Sequence, residues 1–278
     1  EVELRHRNRV GQVNYSVSGN IAITRSMWRY KERTPSGNSY DNWRNNLTNR
    51  YNDIWFGYGA DGRYTSWEQI ANSHIFAGNA TLPGDYVYED WNGDGTIDDT
   101  TTNSTAANFQ DKKNYPLMNF GLTLSAQWKG FDVNMTFQGA AMSYVSYGEQ
   151  LSAPLQFNGN ALDMFLDRWR PVDPKQDPYD PSCQWISGYY YGGTTPDLNS
   201  EFSIQKGTYL RLKTAEIGYT LPKNCLSFIG IKNLRIYMNG YNLFTITGVK
   251  GVDPERPAEL YGYMYPLNRT YNFGASVT

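Results

Sequence analysis

The sequence predicts an all-β fold of antiparallel strands, and three observations carry that expectation. Aromatic residues make up 15% of the 278 positions, with 23 Tyr and 26 Gly, while charged residues reach only 19%. Such a mixture favours strands and turns over helices. Strict alternation of apolar and polar residues recurs along the chain, and long irregular stretches separate the alternating segments.

Taken in order, the opening EVELRHRNRVGQVNYSVSG reads as the middle of a strand hairpin with no secretory leader, so the chain is expected to be a piece of a larger protein. The basic stretch RHRNR at 5–9, which includes His6, is expected to be a solvated turn. Val13, Tyr15, Val17, Ile21 and Ile23 then alternate with Gln12, Asn14, Ser16, Ser18 and Asn20. A long stretch, 31–116, follows, within which TSWEQIAN at 65–72 predicts a short helix capped by Thr65 or Ser66, with Glu68 in its first turn.

The clearest pair of strands comes next. Phe120, Leu122, Leu124, Ala126 and Trp128 share one face, and Asn119, Gly121, Thr123, Ser125 and Gln127 the other. After a tight turn at Lys129 and Gly130, Phe131, Val133, Met135 and Phe137 oppose Asp132, Asn134, Thr136 and Gln138. The second long stretch, 147–206, holds NALDMFLDRWRP, which predicts a helix over 160–171 closed by Pro171, and then a proline-punctuated aromatic loop. Between Tyr209 and Tyr219 the apolar parity switches from Leu210 and Leu212 to Ala215, Ile217 and Tyr219, which predicts a bulge. Leu234, Ile236 and Met238 mark another strand, and Tyr271, Phe273, Ala275 and Val277 the last one.

Two architectures accommodate strands of this kind. A soluble β-sandwich buries the apolar face against a second sheet. A transmembrane barrel turns it to lipid and lines an aqueous lumen with the polar face. Short turns at 129–130 and 220–232 alternate with long segments at 31–116, 147–206 and 245–268, which is the loop asymmetry of a barrel. The polar faces also use Asn, Ser, Thr and Gln where a water-exposed sandwich face carries Lys and Glu.

One stretch has the chemistry of a cation loop. In YEDWNGDGTIDDT at 88–100, Asp90, Asn92, Asp94 and Gly95 have the spacing of the first half of an EF-hand. Asp90, Asn92, Asp94 and Asp98 would supply side-chain oxygens to a structural Ca²⁺, and Thr96 a backbone carbonyl. The twelfth position is Thr101 and not a bidentate Glu. An equally open reading is a turn in which Asp and Asn bond their own backbone while Gly93 and Gly95 supply positive φ angles. Trp185, Tyr189, Tyr190 and Tyr191 form the candidate ligand-contacting group, since flat amphipathic rings stack on sugars and pack on peptides alike.

Other functions find little footing. A formal charge of −2 gives no basic face for nucleic acid. His6 and His74 are the only histidines and assemble neither a triad nor a zinc site, so the chain is not expected to be an enzyme. Two cysteines, Cys183 and Cys225, make no disulfide framework or metal-ligand pattern.

With these elements placed, the chain resembles the C-terminal portion of SusC/RagA-type TonB-dependent transporters of Gram-negative outer membranes. The matching stretches are GYGADGRYTSWEQIANS, LPGDYVYEDWNGDGTIDD, NFGLTLSAQWKGFDVNMTFQGAA, DRWRPVDP, GTYLRLKTAEIGYTLPK, LRIYMNGYNLFTIT, GVDPE and YPLNRTYNFGASVT, in the family's order and over most of the chain. The resemblance implies that residues 1–278 are the last seven or so strands of a 22-stranded antiparallel transmembrane barrel, with the plug and earlier strands elsewhere. It places 31–116 and 147–206 as long extracellular loops and implies a multi-pass protein in outer-membrane lipid. The family's closing aromatic would fall one residue beyond Thr278.

It further implies TonB-dependent import of a nutrient, an oligosaccharide or a peptide, under a SusD-like surface lipoprotein, with TonB acting through the N-terminal part and with transporter–lipoprotein pairs able to dimerise. Asn134, Thr136 and Gln138 would line the lumen. The reading from another class is a secreted β-sandwich binding module with a calcium-stabilised loop.

Overall fold

A computed structural model describes residues 1–35, 37, 39–75, 81–91, 93–97, 108–110, 115–148, 151–155, 158–190, 202, 204–222, 230–255 and 267–278. Seven strands form one continuous antiparallel sheet in chain order: β1 (Val2–Val10), β2 (Val13–Ile23), β3 (Met118–Trp128), β4 (Phe131–Ala141), β5 (Tyr209–Thr220), β6 (Leu234–Thr247) and β7 (Thr270–Val277). The other described strands make two-stranded ribbons within the connections. A sandwich would need a second sheet against the first; the described strands contain none.

The register keeps the two faces apart. Tyr15, Ala126, Val133 and Ile217 align across β2 to β5, as do Val17, Leu124, Met135 and Ala215, so the apolar sets fall on one face. That face is bare: Leu4 is 73% exposed, Ile246 63% and Phe273 79%. An uncovered apolar surface running across seven strands suits lipid and not water. On the opposite face Arg235 donates to Asp132 at 2.5 and 3.0 Å and to Glu216 at 2.6 Å, and Asn272 donates to Asn239 at 2.9 Å. Ser16 and Ser125 pair there at 2.6 Å. Asn134, Thr136 and Gln138 lie on this polar face, in the positions expected of them.

Turn chemistry sets the asymmetry between the two ends. Lys129 and Gly130 both take positive φ, +45° and +88°, the pairing whose twist matches that of the flanking strands. Gly11 takes φ +60° in the equally short β1–β2 turn. The remaining connections at the opposite end run through 24–117, 142–208 and 248–269. At the short-turn end Trp128, Phe131 and Tyr219 form an aromatic row, with centroids 6.4 and 4.5 Å apart.

The parity switch in β5 is a bulge at Lys213, opposed on β6 by Asn242 and Leu243. Asn242 takes φ +53° to allow it. The bulge restores Arg211 to the polar face beside Gln138 and Thr245.

Two expectations are corrected. RHRNR is not a turn: residues 5–9 lie inside β1, with His6 opposite Val17 and Arg5, Arg7 and Arg9 on the polar-face parity with Ser18, Ser16 and Asn14. The alternation is hidden in the sequence because His6 and Asn8 occupy the apolar-face positions. The helix over 160–171 shrinks to a 3-10 turn at Asp163–Leu166. Its second half is captured elsewhere, since Trp169 N–H donates to Tyr190 O at 2.9 Å and Arg170–Pro171 pairs with Trp185–Ile186. The other helix forms as expected: Trp67–Ala71 starts at Ser66, whose hydroxyl accepts from Gln69 N–H at 3.2 Å.

Burial is concentrated in the connections. Val145, Tyr147, Leu151 and Val249 form a core with Met164 and Val252 against it, and Tyr58, Tyr64, Ile70, Leu82 and Ile97 are also buried. Arg211, only 1% exposed, ties this region to the wall: it donates to Asp253 at 2.7 and 2.9 Å, to Glu255 at 2.6 Å and to Thr245 at 2.8 Å. Tyr209 O–H donates to the same Glu255 at 2.6 Å. Because Arg211 projects from the polar face, the segment after β6 folds inward over that face. Arg211→Leu leaves Asp253 without its cation and Glu255 with only the more distant Lys213 at 3.7 Å, a loss approaching the ~3–5 kcal/mol of a broken buried pair. Hydrogen exchange over 249–255 is expected to accelerate accordingly while β2 to β4 keep their protection; unchanged exchange in that segment would refute the role.

Candidate functional site

A cleft of about 560 Å³ opens among the loops. One wall is the ribbon pairing Ala60–Arg63 with Tyr86–Tyr88; another is the ribbon Tyr144–Ser146 with Ile204–Lys206. Tyr147, Leu151 and Gly248, from the connections that flank β5 and β6, close it.

Its polar and aromatic groups are fixed by one another. Tyr86 stacks on Phe202 with centroids 3.8 Å apart, and the Arg63 guanidinium lies 4.5 Å from the Tyr86 ring. Arg63 donates to Gly84 O at 2.8 Å and also to Tyr189 O, so one side chain links both walls. Tyr189 accepts from Gln205 Nε2 at 2.8 Å, and Lys250 stands 5.3 Å over its ring. Tyr190 packs edge-on against Tyr189 and Phe165, and among the described residues its buried hydroxyl has no hydrogen-bond partner. An arrangement of stacked rings with amide, ammonium and guanidinium groups contacts flat, hydrogen-bonding ligands.

The structure divides the predicted aromatic group. Tyr189 and Tyr190 line the cleft, whereas Trp185 belongs to a separate cavity beside it; Tyr191 lies outside the described residues. Arg63, Tyr86, Phe202 and Gln205 are additions that sequence spacing gave no means of finding, because they converge from different connections.

In the acidic loop, Asp90 accepts from Gly93 N–H at 2.9 Å and from Gly95 N–H at 2.8 Å, and Asp94 accepts from Thr96 N–H at 2.9 Å and from its hydroxyl at 2.8 Å. Gly93 and Gly95 have φ of +71° and +81°. These are the bonds of the self-capping turn. Asn92 and Asp98 lie outside the described residues, and among the described residues no three His, Cys, Asp or Glu groups are arranged to hold a metal ion. Ile97, 1% exposed, and the stacking of Trp91 on Trp43 at 6.3 Å anchor the loop. Cys183 is a buried free thiol, and Cys225 lies outside the described residues.

Asp85 sits behind the cleft. Its Oδ2 accepts from Leu82 N–H at 2.8 Å and its backbone carbonyl from Tyr64 N–H at 3.0 Å, but Oδ1 is buried and has no partner among the described residues. Burial pushes its pKa up to about 6, against the opposing pull of the Leu82 bond and of Arg63.

A bare apolar face, a polar face, short connections at one end and long, packed ones at the other define a segment of the wall of an outer-membrane-type barrel. Comparisons with known proteins point the same way. The chain is related in sequence to SusC-type TonB-dependent receptors. It is 26% identical over 201 residues to TonB-dependent receptor P3 of Formosa agariphila, covering 72% of this chain and 18% of that protein. It is 28% identical over 233 residues to TonB-dependent receptor P26 of the same organism, covering 78% and 22%. With TonB-dependent receptor SusC of Bacteroides thetaiotaomicron the identity is 24% over 228 residues, covering 80% and 20%.

In fold it matches the solved RagAB peptide transporter with a TM-score of 0.65 at 17% identity, and the open-open state of the RagAB peptide importer with 0.64 at 16%, each covering 99% of this chain and 28% of the other. No family model matches. The chain spans about a fifth of the length of the curated relatives it matches.

The raised pKa of Asp85 has a definite sign. The folded state holds this proton more tightly than the unfolded chain, so the contribution of Asp85 to stability is fully present below the ordinary value of 3.8 and is lost as pH rises through about 6. Asp85→Asn keeps the acceptor for Leu82 and removes the charge. It is expected to steady the segment by about 1–2 kcal/mol at pH 7.5 and by nothing at pH 3.5. Exchange of the Tyr64 and Leu82 amides, corrected for intrinsic rates, reads the difference; an equal gain at both pH values would count against it.

Proposed function

We infer that this chain forms the C-terminal wall and extracellular loops of a TonB-dependent transporter that imports a nutrient across a Gram-negative outer membrane. The observation that carries the reading is the sequence likeness to three TonB-dependent receptors, which runs through strands and loops alike. The bare apolar face of the sheet supports residence in the outer-membrane bilayer. The loops that fold in over the polar face support capture at the outer mouth of a lumen, where the cleft lined by Tyr189, Tyr190, Tyr86 and Arg63 contacts the cargo, an oligosaccharide or a peptide. A SusD-like lipoprotein covers the loops, and TonB acts through the part of the polypeptide that precedes these residues. The non-enzymatic reading is supported by relatives named as receptors.

The test uses the full-length polypeptide, extracted in detergent from outer membranes. Co-purification of a surface lipoprotein and heat-modifiable migration are expected, and a water-soluble chain without either would overturn the reading. In that preparation Tyr189→Ala combined with Gln205→Ala is expected to weaken cargo binding at least tenfold, the scale of an aromatic hot spot. Heat-modifiable migration should not change.

A structural Ca²⁺ in the acidic loop belongs to the same proposal and rests on the spacing of Asp90, Asn92, Asp94 and Asp98. Treatment with a calcium chelator is then expected to hasten proteolysis within 90–98, and Asp90→Asn to abolish the chelator's effect. A cleavage rate indifferent to the chelator leaves the loop as a self-capping turn.

A further inference from the structure

One side chain of the cleft stands between two claims on it. Arg63 ends the strand Ala60–Arg63, and its guanidinium bridges the walls, with Nη1 donating to Gly84 O at 2.8 Å and Nη2 to Tyr189 O. The two carbonyls have different surroundings. Tyr189 is an exposed residue of the facing wall, whereas Gly84 O belongs to the peptide that leads into Asp85.

Asp85, only 5% exposed, presents an incomplete carboxylate behind this cation. Oδ2 accepts from Leu82 N–H, and Oδ1 is buried with no partner among the described residues. A buried carboxylate short of hydrogen bonds is tolerated as the neutral acid and is costly as the anion. The groups of charge or titratable character that face it, among the described residues, are the Arg63 guanidinium and the Tyr64 phenol. Leu82, Pro83 and Gly84 lead into it, and the Trp169 ring packs on Gly84; none of these carries a charge. Arg63 is therefore the group that can compensate the anion, and the Nη2 donor it would use is the one that holds Tyr189 O.

We propose that Arg63 and Asp85 form a proton-operated clamp on the cleft: with Asp85 neutral the guanidinium ties the walls together through Tyr189 O, and with Asp85 ionised it turns to the buried carboxylate and releases that wall. The bond to Gly84 O and the stacking on Tyr86, 4.5 Å away, serve as the pivot in both positions. The proton lost on ionisation goes to solvent. The clamp regulates the cleft, and its consequence for transport rests on the reading that the cleft contacts the cargo.

Burial sets the sign. The linked arrangement holds the Asp85 proton with a pKa of about 6 against the ordinary 3.8, so linkage is fully present below 3.8 and is lost as pH rises through about 6. With the ordinary value in the released form, the ratio of linked to released cleft falls about tenfold between pH 5 and pH 8.

The test is the distance between the walls in the full-length transporter, purified in detergent with its co-purifying lipoprotein and carrying spin labels on unnatural amino acids at the exposed positions Asp61 and Ser187. Two separations are expected, with the longer gaining about tenfold on the shorter between pH 5 and pH 8. Asp85→Asn keeps the acceptor for Leu82, removes the charge and is expected to hold the shorter separation at both pH values. Arg63→Gln removes the cation and is expected to give the longer separation at both; should that variant lose heat-modifiable migration, the unaltered protein and Asp85→Asn decide alone.

A separation in the unaltered protein that is the same at both pH values overturns the proposal, and so does a pH response that survives in Asp85→Asn. Cargo affinity in the same preparation distinguishes the clamp from the reading beneath it. An affinity that falls with pH in the unaltered protein and stays level in Asp85→Asn supports both. Walls that move while the affinity stays level support the clamp and remove the cleft from cargo binding.

Discussion

A strand that meets lipid on one side and water on the other admits no slip of register. Moving β4 by one residue along β3 would turn Phe131, Val133 and Met135 into the polar face and expose Asp132 and Asn134 to hydrocarbon. Every other feature of the wall is arranged around that constraint. The turn at Lys129 and Gly130 sets the register locally, and the Arg235 pairs with Asp132 and Glu216 hold it across three strands. Where the chain changes parity at Lys213, the partner strand changes with it at Asn242 and Leu243, so apolar and polar faces both continue unbroken.

The bulge also connects the wall to the loops. By returning Arg211 to the polar face, it offers a buried cation to Asp253 and Glu255, and the segment after β6 folds inward to meet it. Tyr147, whose hydroxyl accepts from Lys250 N–H at 3.0 Å, carries the same segment to the small core around Leu151. The cleft is therefore built on a framework anchored to the barrel wall. Gly139 is the corresponding device in the sheet, its missing side chain making room for the Phe120 ring.

Much of the wall was legible in the sequence, since period-two alternation is a direct image of a sheet with two unlike faces. The β5 bulge was legible for the same reason, as a change of parity between Leu212 and Ala215. β1 was legible only in part: the opening reads as a strand hairpin, but RHRNR within it reads as a turn because His6 and Asn8 stand where Val or Leu would mark the outer face. The helix expected at 160–171 has suitable local residues, but backbone pairing of Trp169 and Arg170 with a segment some twenty residues on prevails over local propensity. Tyr189 and Tyr190 were legible as aromatics in a proline-punctuated loop. Arg63, Phe202 and Gln205 are ordinary residues in sequence, and only the folding of several connections onto one another makes them a site; the split of Trp185 from its neighbours follows from the same long-range pairing.

The location of the buried residues separates two kinds of cohesion. The loop core around Val145, Tyr147 and Val249 is driven together by water, as in any soluble domain, whereas the sheet owes its apolar face to the bilayer. A solvent that imitates lipid thus governs the wall and leaves the cap largely indifferent. Loop segments can accordingly be exchanged without disturbing the register of the wall that carries them.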